Sequence, residues 1–413
     1  MVVPRAEESR KGTPRLRIGL FTDSYPPSRN GVAIAVGQLR EHLLERGHEV
    51  TVVAPRGRLA GRCTRHEFLM SSVRVRGLHP PLATGWGFRR TARRVASADL
   101  DLVHVHGFGP ISLLGIRLAR RAGIPLLITW HTDLEAYVRP YRHLMPVMLL
   151  WALVVRMACG RAAPSVQTGT TWRDRRSAVV AAAILRRADL VIAPSNKTAT
   201  RLSQLARDVP AVVLRTGIDP IPHASRTFPW TSPVILCVGR IAPEKGTELL
   251  LDAFVRLREN LPHATLVLVG DDTCARKLRR RLREARHHNV HVIGEIDRDE
   301  LGAYYATADF FVFPSVTDTQ GLVVHEAAHA GLPLVMVDDE LATDLETAVV
   351  RAPTPAALAA AMATMAARCT DQDFVRRTAS DGKRHAAEFS AERQHEKLVA
   401  LYAQYVRRTL TGP

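Results

Sequence analysis

The chain has little cysteine, and no two of its cysteines lie close together. The five cysteines are Cys63, Cys159, Cys237, Cys274 and Cys369. This scatter argues against a disulfide framework and against a cysteine metal site. Residues 1–15 are polar and charged, and they contain no apolar segment of the kind that a secretory signal requires. We therefore predict a disordered leader at 1–15 and a cytoplasmic protein.

The sequence also lacks an apolar segment that could span a bilayer. The uncharged apolar run from Leu144 to Val155 has 12 residues, too few to cross about 30 Å of hydrocarbon. It is flanked by Arg139, Arg142, Arg156 and Arg161. The run fits either a helix lying in the membrane interface or a buried core helix, and the sequence leaves both open.

Acidic residues are scarce in the first half of the chain. The whole chain carries a net charge of +17, and the segment from Arg56 to Arg176 has 20 Lys/Arg against 6 Asp/Glu, a net of +14. This excess predicts a positive surface on the first domain. An anionic membrane surface and nucleic acid are the candidate partners. No zinc finger, aromatic-basic ribonucleoprotein motif or helix-turn-helix is recognisable. We therefore favour the hypothesis that the protein binds a membrane surface peripherally, and we expect it not to bind nucleic acid.

Apolar runs alternate with helical segments along the chain. Strand-like runs lie at 16–21, 49–54, 102–106, 125–130, 189–193 and 211–214, and the alternation resumes from 234. Such alternation predicts an α/β fold with parallel sheets that have helices on both faces. With 413 residues the chain has enough material for two cores.

The domain boundary is predicted in a proline-rich segment. Residues 218–233 contain four prolines, which is typical of an extended linker. We therefore predict an N-terminal domain at 16–217, a linker at 218–233 and a C-terminal domain at 234–390. The segment 391–413 has apolar residues at helical spacing and predicts a C-terminal helix.

A glycine turn in the second domain is a candidate phosphate site. Gly321 separates a strand-like run from a helical pattern, so the backbone N–H groups of Gly321, Leu322 and Val323 would face a ligand at a helix N-terminus. Asp318 and Glu326 lie eight residues apart around this glycine. We expect the first to accept hydrogen bonds from sugar hydroxyls and the second from ribose hydroxyls. An ordinary capped helix is the alternative.

A second turn brings cations to a strand end. The segment from Val234 to Gly246 contains an apolar strand, Gly239, then Arg240 and Lys245. Ligands of open parallel sheets bind at the carboxyl edge of the strands. These two cations are therefore candidates for binding a diphosphate, and the alternative is a solvated pair of surface charges.

Together the two segments resemble retaining, nucleotide-sugar-dependent glycosyltransferases of family 4, which carry Gly-Arg-x(4)-Lys-Gly and Glu-x(7)-Glu motifs in the second domain. The segments Arg17 to Gly31 and Leu126 to Asp133 resemble the glycine loop and an inner strand of the first domain. The resemblance implies the GT-B fold, in which two Rossmann-like parallel-sheet domains face each other across a cleft. It also implies that the C-terminal helix at 391–413 packs back on the N-terminal domain.

The chain departs from the family pattern at several positions. The first motif glutamate is Asp318, an aromatic residue is replaced by Gln320, and the usual glycine pair is Asn30-Gly31. After Pro333 the family has a glycine-rich loop, and this chain has Val337-Asp338-Asp339-Glu340 there. The string at 317–322 most resembles the bacterial members that glycosylate membrane lipids.

The resemblance implies a function and a set of site residues. It implies transfer of a hexosyl unit from a nucleotide-diphosphate sugar to a lipid-linked or membrane-associated acceptor, with retention and without a metal or other cofactor. The residues implied as catalytic are His131, Arg240, Lys245 and Asp318. Those implied in donor binding are Gly31, Gly239, Arg240, Lys245, Ile296, Asp318, Gly321, Leu322, Val323 and Glu326.

Two other classes of function fit parts of the sequence. A basic nucleic-acid-binding α/β protein would explain the charge, and an inactive nucleotide-sugar sensor would keep the fold. The sequence leaves the donor open between GDP-mannose and UDP-sugars. His104 and His106 alternate on one strand, and without a third ligand we expect them to line a core or cleft and not to bind metal.

Overall fold

The computed structural model describes most of the chain. The described residues are 15–28, 30–56, 66–73, 82–83, 87–135, 145–160, 162–165, 171–219, 221–222, 224–271, 276–285, 288–342, 348–350 and 352–411. The chain divides into two compact units, Met1–Gly217 with Ala391–Pro413, and Ile218–Ser390. The predicted leader lies outside the described residues, apart from residue 15.

The first unit is built on a seven-stranded sheet. Its strands are β1 Arg17–Thr22, β2 Glu49–Pro55, β3 Glu67–Met70, β6 Leu102–His106, β7 Leu126–Thr129, β8 Leu190–Ala193 and β9 Ala211–Val213, with a separate ribbon of β4 Ser72–Val73 and β5 Leu82–Ala83. The sheet order is β3-β2-β1-β6-β7-β8-β9. Every pairing within it is parallel.

Helices cover both faces of this sheet. The helices are α1 Gly31–Glu45, α2 Phe88–Ala96, α3 Pro110–Ala122, α4 Met145–Cys159, α5 Trp172–Leu185, α6 Asn196–Ala206 and the C-terminal helix Ala391–Thr411. The C-terminal helix and α1 pack on one face. The other face carries α2 to α6. Because strand residues point alternately to the two faces, Leu20 joins the first core and Phe21 the second.

The second unit repeats this architecture with six parallel strands. The strands are β10 Val234–Val238, β11 Thr265–Val269, β12 Val290–Gly294, β13 Phe310–Phe313, β14 Leu334–Met336 and β15 Ala348–Val350. The helices are α7 Thr247–Asn260, α8 Arg276–Ala285, α9 Arg298–Thr307, α10 Leu322–His329, α11 Asp339–Ala342, α12 Pro355–Arg368 and α13 Gln372–Glu388. The sheet order is β12-β11-β10-β13-β14-β15.

In each sheet the first strand of the unit lies inside the sheet, and later strands are added on both sides of it. In the second unit, β10 lies between β11 and β13, so the connections leave β10 towards opposite sides of the sheet. This reversal is the topological switch point at which doubly wound folds bind ligands. The predicted α/β class, with two parallel-sheet domains, is confirmed.

Buried histidines give the first unit a specific response to acid. Burial lowers the pKa of His104 and of His395 to about 3. Below pH 6.5 the unfolded chain therefore binds protons that the folded chain does not. Each such histidine should lower the free energy of unfolding by about 1.4 kcal/mol per pH unit as the pH falls from about 6.5 towards the folded pKa.

Urea unfolding at pH 7.5, 6.0 and 5.0 tests this expectation. The wild-type protein should lose stability steadily over this series, and His395→Gln should lose less per pH unit. His263→Gln is the matched control, because His263 is exposed on the second unit. Equal stability of the wild type at pH 7.5 and 5.0 would contradict the prediction.

Candidate active site

The two predicted motifs of the second unit follow neighbouring strands. Strands β10 and β13 pair in parallel, with Ile235 opposite Phe310 and Leu236 opposite Phe311. Their carboxyl ends therefore meet at the same edge of the sheet, at the switch point. This is why Arg240 and Asp318, which are far apart in sequence, belong to one group of loops.

The loop after β10 is held close to the loop after β13. It leaves the strand through Gly239, forms a short 3-10 helix at Pro243–Lys245 and enters α7 at Thr247. Gly246 has a φ of +72°, and a Cβ atom there would lie 2.2 Å from the carbonyl oxygen of Pro314. Only glycine permits this approach of the two backbones.

Glu244 connects the two loops by several contacts. Its backbone carbonyl accepts hydrogen bonds from the Thr317 hydroxyl at 2.9 Å and the Ser315 hydroxyl at 3.4 Å. Its buried carboxylate pairs with Arg240, at 2.7 Å from Nη2 to Oε1. The guanidinium is thus held beside the strand end by a residue four positions further along the chain.

Lys245 has a carboxylate partner as well. Its ammonium group donates a short hydrogen bond to Oδ1 of Asp318. The four side chains of Arg240, Glu244, Lys245 and Asp318 therefore carry no net charge together. A diphosphate binding here would share each cation with a carboxylate.

The turn before α10 has the geometry of an anion site. Gly321 adopts the left-handed conformation with φ +71° and precedes the first residue of the helix. A Cβ atom at this position would lie 3.1 Å from the ring of Phe313. Leu322 and Val323 are the first two helical residues, where backbone N–H groups have no carbonyl of the preceding turn to bind.

Glu326 is buried and engaged at both carboxylate oxygens. Its side chain is only 6% exposed, and Oε1 forms an ion pair with Nη1 of Arg298. The Tyr305 hydroxyl donates to Oε2 at 3.3 Å. Burial, and then the neighbouring Glu326 carboxylate, hold the pKa of Tyr305 well above its usual value, so the hydroxyl remains a donor at neutral pH.

Arg298 extends this group towards the start of the unit. Its Nη2 donates to the backbone carbonyl of Asp219 at 2.7 Å. Ile296, which is implied in donor binding, lies two residues before Arg298 and packs against the core on the α10 face of the sheet. The segment between β12 and α9 is therefore fixed beside Glu326 by an ion pair and a hydrogen bond.

The remaining candidates belong to the first unit. Gly31 is the first residue of α1, and the preceding Asn30 caps this helix by accepting from the Ala33 N–H at 3.0 Å. His131 follows β7, and its Nε2 lies 3.1 Å from Nδ1 of His106. Burial lowers the pKa of His131 to about 4, so its ring is neutral at pH 7.

Sequence reasoning missed several residues that organise the site. Glu244, Arg298 and Tyr305 support Arg240 and Glu326, and none of them was assigned a role. The four-residue spacing of Arg240 and Glu244 was no usable signal, because Arg240 precedes the 3-10 helix and the two residues do not share a helix face. Arg298 and Glu326 lie 28 residues apart, and only the adjacency of α9 and α10 connects them.

Family models match most of the chain. One described as "Glycosyltransferase Family 4" matches residues 29–221, and another described as "Glycosyl transferases group 1" matches residues 232–368. The chain belongs to glycosyltransferase family 4. It is therefore a glycosyltransferase, and neither nucleic-acid binding nor an inactive sensor is favoured.

Relatives with assigned activities are similar over about four-fifths of their length. A GDP-mannose-dependent alpha-mannosyltransferase of Mycobacterium tuberculosis is 30% identical over 351 residues, which are 80% of this chain and 82% of that protein. An alpha-monoglucosyldiacylglycerol synthase of Acholeplasma laidlawii is 26% identical over 347 residues, which are 79% and 81% of the two chains.

Solved structures share the fold. Sucrose-phosphate synthase from Thermosynechococcus elongatus superposes with a TM-score of 0.68 at 21% identity, over 94% of this chain and 99% of that one. A glycosyltransferase involved in lipopolysaccharide biosynthesis gives a TM-score of 0.64 at 17% identity, over 93% and 99%. The two parallel-sheet units therefore correspond to the GT-B architecture.

Proposed function

We propose that this glycosyltransferase moves a hexosyl unit from a nucleotide-diphosphate sugar to a hydroxyl group of a lipid-linked or membrane-associated acceptor. The transfer retains the anomeric configuration and needs no divalent metal or other cofactor. The observation that carries the proposal is the group of loops after β10 and β13, which collects Arg240, Lys245, Asp318 and the N-terminus of α10 at one sheet edge.

Each part of the donor has a candidate partner in this group. The diphosphate would contact Arg240, Lys245 and the N–H groups of Leu322 and Val323, since cations and helix N-termini both favour anions. Glu326 would accept hydrogen bonds from the ribose hydroxyls. Asp318 would accept from the hydroxyls of the transferred sugar, and the resemblance to family 4 implies that His131 also contacts that sugar.

The proposed reaction breaks the bond between the anomeric carbon and the diphosphate oxygen. The acceptor oxygen bonds to the anomeric carbon on the face from which the diphosphate leaves, and the leaving phosphate takes the acceptor proton. Negative charge grows on the diphosphate as the bond breaks. Preorganised donors such as Arg240 and Lys245 stabilise such charge by several kcal/mol, about 3 for a single donor.

The support for metal independence is that Arg240 and Lys245 supply N–H donors for the phosphate oxygens that a divalent ion would otherwise contact. An Asp-x-Asp sequence could hold a phosphate-bound divalent ion, and the first unit contains one at Asp99-Leu-Asp101. Both of its carboxylates form ion pairs with Arg17.

A donor screen in the presence of chelator tests the proposal. The purified protein would be incubated in EDTA with GDP-mannose, UDP-glucose, UDP-glucuronic acid and UDP-N-acetylglucosamine, and release of each nucleoside diphosphate would be measured. We expect turnover of one donor and little of the others. Activity that disappears in EDTA and returns with magnesium or manganese would overturn metal independence.

The membrane part of the proposal is supported by the exposed face of α4. Within the described part of the predicted apolar run, Leu150 and Leu153 are 63% and 50% exposed, and Met157 further along the helix is 76% exposed. The opposite face buries Val155 and Cys159 in the core. One face of the helix therefore belongs to the core, and the other is apolar and exposed, as an interfacial helix would require. Arg139, Arg142, Leu144 and Arg161 lie outside the described residues.

A basic helix belongs to the same layer of the first unit. Helix α2 buries Val95 on the core side, and it packs on the same sheet face as α4. Its exposed residues include four arginines, Arg89, Arg90, Arg93 and Arg94. An anionic membrane would attract these arginines, while the apolar side chains of α4 would enter the interface. None of the described helices is both long and apolar enough to cross a membrane.

Binding to vesicles should have two separable components. The wild type should sediment with phosphatidylglycerol vesicles at low salt, and part of this binding should resist high salt. Arg90→Glu/Arg93→Glu should weaken the salt-sensitive part, because each basic side chain near an anionic surface contributes about 1 kcal/mol. Leu150→Glu/Leu153→Glu should remove the salt-resistant part.

The control for net charge is a charge reversal on the second unit. Arg376 and Arg377 are exposed on α13, so Arg376→Glu/Arg377→Glu, which changes the net charge by the same amount, should leave binding nearly unchanged. An equal loss with this variant would assign the binding to overall charge and not to the α2 face. If the wild type does not bind anionic vesicles at low salt, the hypothesis of peripheral membrane binding is wrong, and we would expect a soluble acceptor.

A further inference from the structure

Two histidines of the first unit, His106 and the partly buried His131, share one hydrogen bond. His106, the last residue of β6, is only 4% exposed. Its Nδ1 lies 3.1 Å from Nε2 of His131, and the two ring planes are 23° apart with 5.3 Å between centroids, so the rings meet edge to edge. Since both nitrogens are in-plane ring atoms, one must donate its proton to the other's lone pair.

The second nitrogen of His106 decides the direction of this bond. None of the residues that the structure describes gives Nε2 of His106 a hydrogen-bond partner. The neighbouring His104 ring cannot serve, because its Nδ1 bonds to the Tyr402 hydroxyl at 2.6 Å and its Nε2 to the Thr129 hydroxyl at 2.7 Å. Buried N–H groups without an acceptor are rarer in proteins than acceptors without a full set of donors.

Only one proton arrangement meets these conditions. Burial, and then the neighbouring His104 and His131, hold the pKa of His106 well below its usual value, so the ring is neutral. A proton on Nε2 would leave a buried N–H without an acceptor. The single proton therefore lies on Nδ1 and points at His131. His131 is neutral too, and it must then carry its own proton on Nδ1.

We propose that His106 is a positioning residue that donates from Nδ1 to Nε2 of His131 and thereby fixes the proton of the His131 ring on Nδ1. The hydrogen bond at one imidazole nitrogen sets which nitrogen is protonated. The consequence for the reaction rests on the proposed function. Because its Nε2 lone pair accepts the His106 proton, His131 does not act as a general base through Nε2.

The proton position can be measured without any substrate. The full-length protein would be labelled with ¹⁵N-histidine, and long-range ¹H–¹⁵N spectra would be assigned with His131→Ala and His106→Leu. We expect the wild-type His131 ring to be protonated at Nδ1. In His106→Leu, which lacks the donor, the proton of His131 should redistribute towards Nε2. A wild-type His131 ring protonated at Nε2 would overturn the proposal.

Kinetics provide the second readout and a rescue. His106→Leu should lower kcat by about tenfold, the expected loss for one neutral hydrogen bond that orients a reacting group. His106→Asn places an amide N–H near the position of Nδ1 and should recover most of this rate. Equal rates in the leucine variant and the wild type, or an asparagine variant as slow as the leucine variant, would contradict the positioning role.

The two readouts separate this inference from the proposed function. If His131→Ala retains full transfer activity, the assigned role of His131 is wrong, whatever the spectra show. If His131→Ala is inactive but the wild-type ring carries its proton on Nε2, the role stands and the positioning by His106 fails. Should His106→Leu not fold, the wild-type and His106→Asn spectra still decide the proton position.

Discussion

Lys245→Ala should lower the rate of glycosyl transfer by about 100-fold or more. Lys245 is a cation at the switch point of the second unit, and removal of one preorganised charge-stabilising donor costs about 10²- to 10³-fold in kcat. The loss should be larger than for an isolated lysine, because Asp318 would lose its ion-pair partner and would then repel the diphosphate. Initial rates at saturating donor measure the effect.

A double variant separates the two causes. If repulsion by Asp318 contributes, Lys245→Ala/Asp318→Asn should bind the nucleoside diphosphate more tightly than Lys245→Ala alone. Lys383→Ala is the matched control, since Lys383 is exposed on α13 of the same unit. A Lys245→Ala enzyme whose rate lies within about twofold of the control would remove Lys245 from the mechanism.

Glu326→Ala should weaken binding of the free nucleoside diphosphate, while Asp318→Ala should affect turnover more than binding. A hydrogen bond to a charged group contributes about 1.5 to 3 kcal/mol, which is roughly 10- to 150-fold in affinity. Arg298→Met should weaken binding in the same direction, because it removes the ion pair that holds the Glu326 carboxylate. Calorimetry with GDP and UDP measures each affinity.

The control for this series is Glu259→Ala, because Glu259 is exposed on α7. Wild-type affinity in the Glu326 variant would exclude a contact between this carboxylate and the ribose. An Asp318 variant that loses affinity as strongly as turnover would instead assign Asp318 to nucleotide binding.

The α/β fold could be predicted from the sequence because its buried parallel strands are runs of consecutive apolar residues. The run predicted at 102–106 is β6 with the same bounds, and the run at 211–214 is β9 to within one residue. The short edge strand Glu67–Met70 was missed. Three of its four residues are only partly buried, so its apolar signal is weak.

The electrostatics of the site could not be read in the same way. Lys245 and Asp318 lie 73 residues apart, and they meet because β10 and β13 are neighbours in the sheet. The sequence contains each charge but does not identify its partner, so the ion pairs Arg240–Glu244 and Lys245–Asp318 were not predicted. Similarly, the run of 12 apolar residues at 144–155 does not show which face of α4 is buried and which is exposed.

The structure of the lipid product is the most direct test of whether the protein transfers a hexosyl unit to a membrane lipid with retention. Purified protein would be incubated in EDTA with an anomerically defined nucleotide sugar and vesicles of bacterial lipid, and the extracted lipid would be examined by mass spectrometry and proton NMR. We expect one added hexosyl unit with the anomeric configuration of the donor, and none with Lys245→Ala. A hexosyl lipid of inverted configuration, or no sugar in the lipid with any donor, would contradict it.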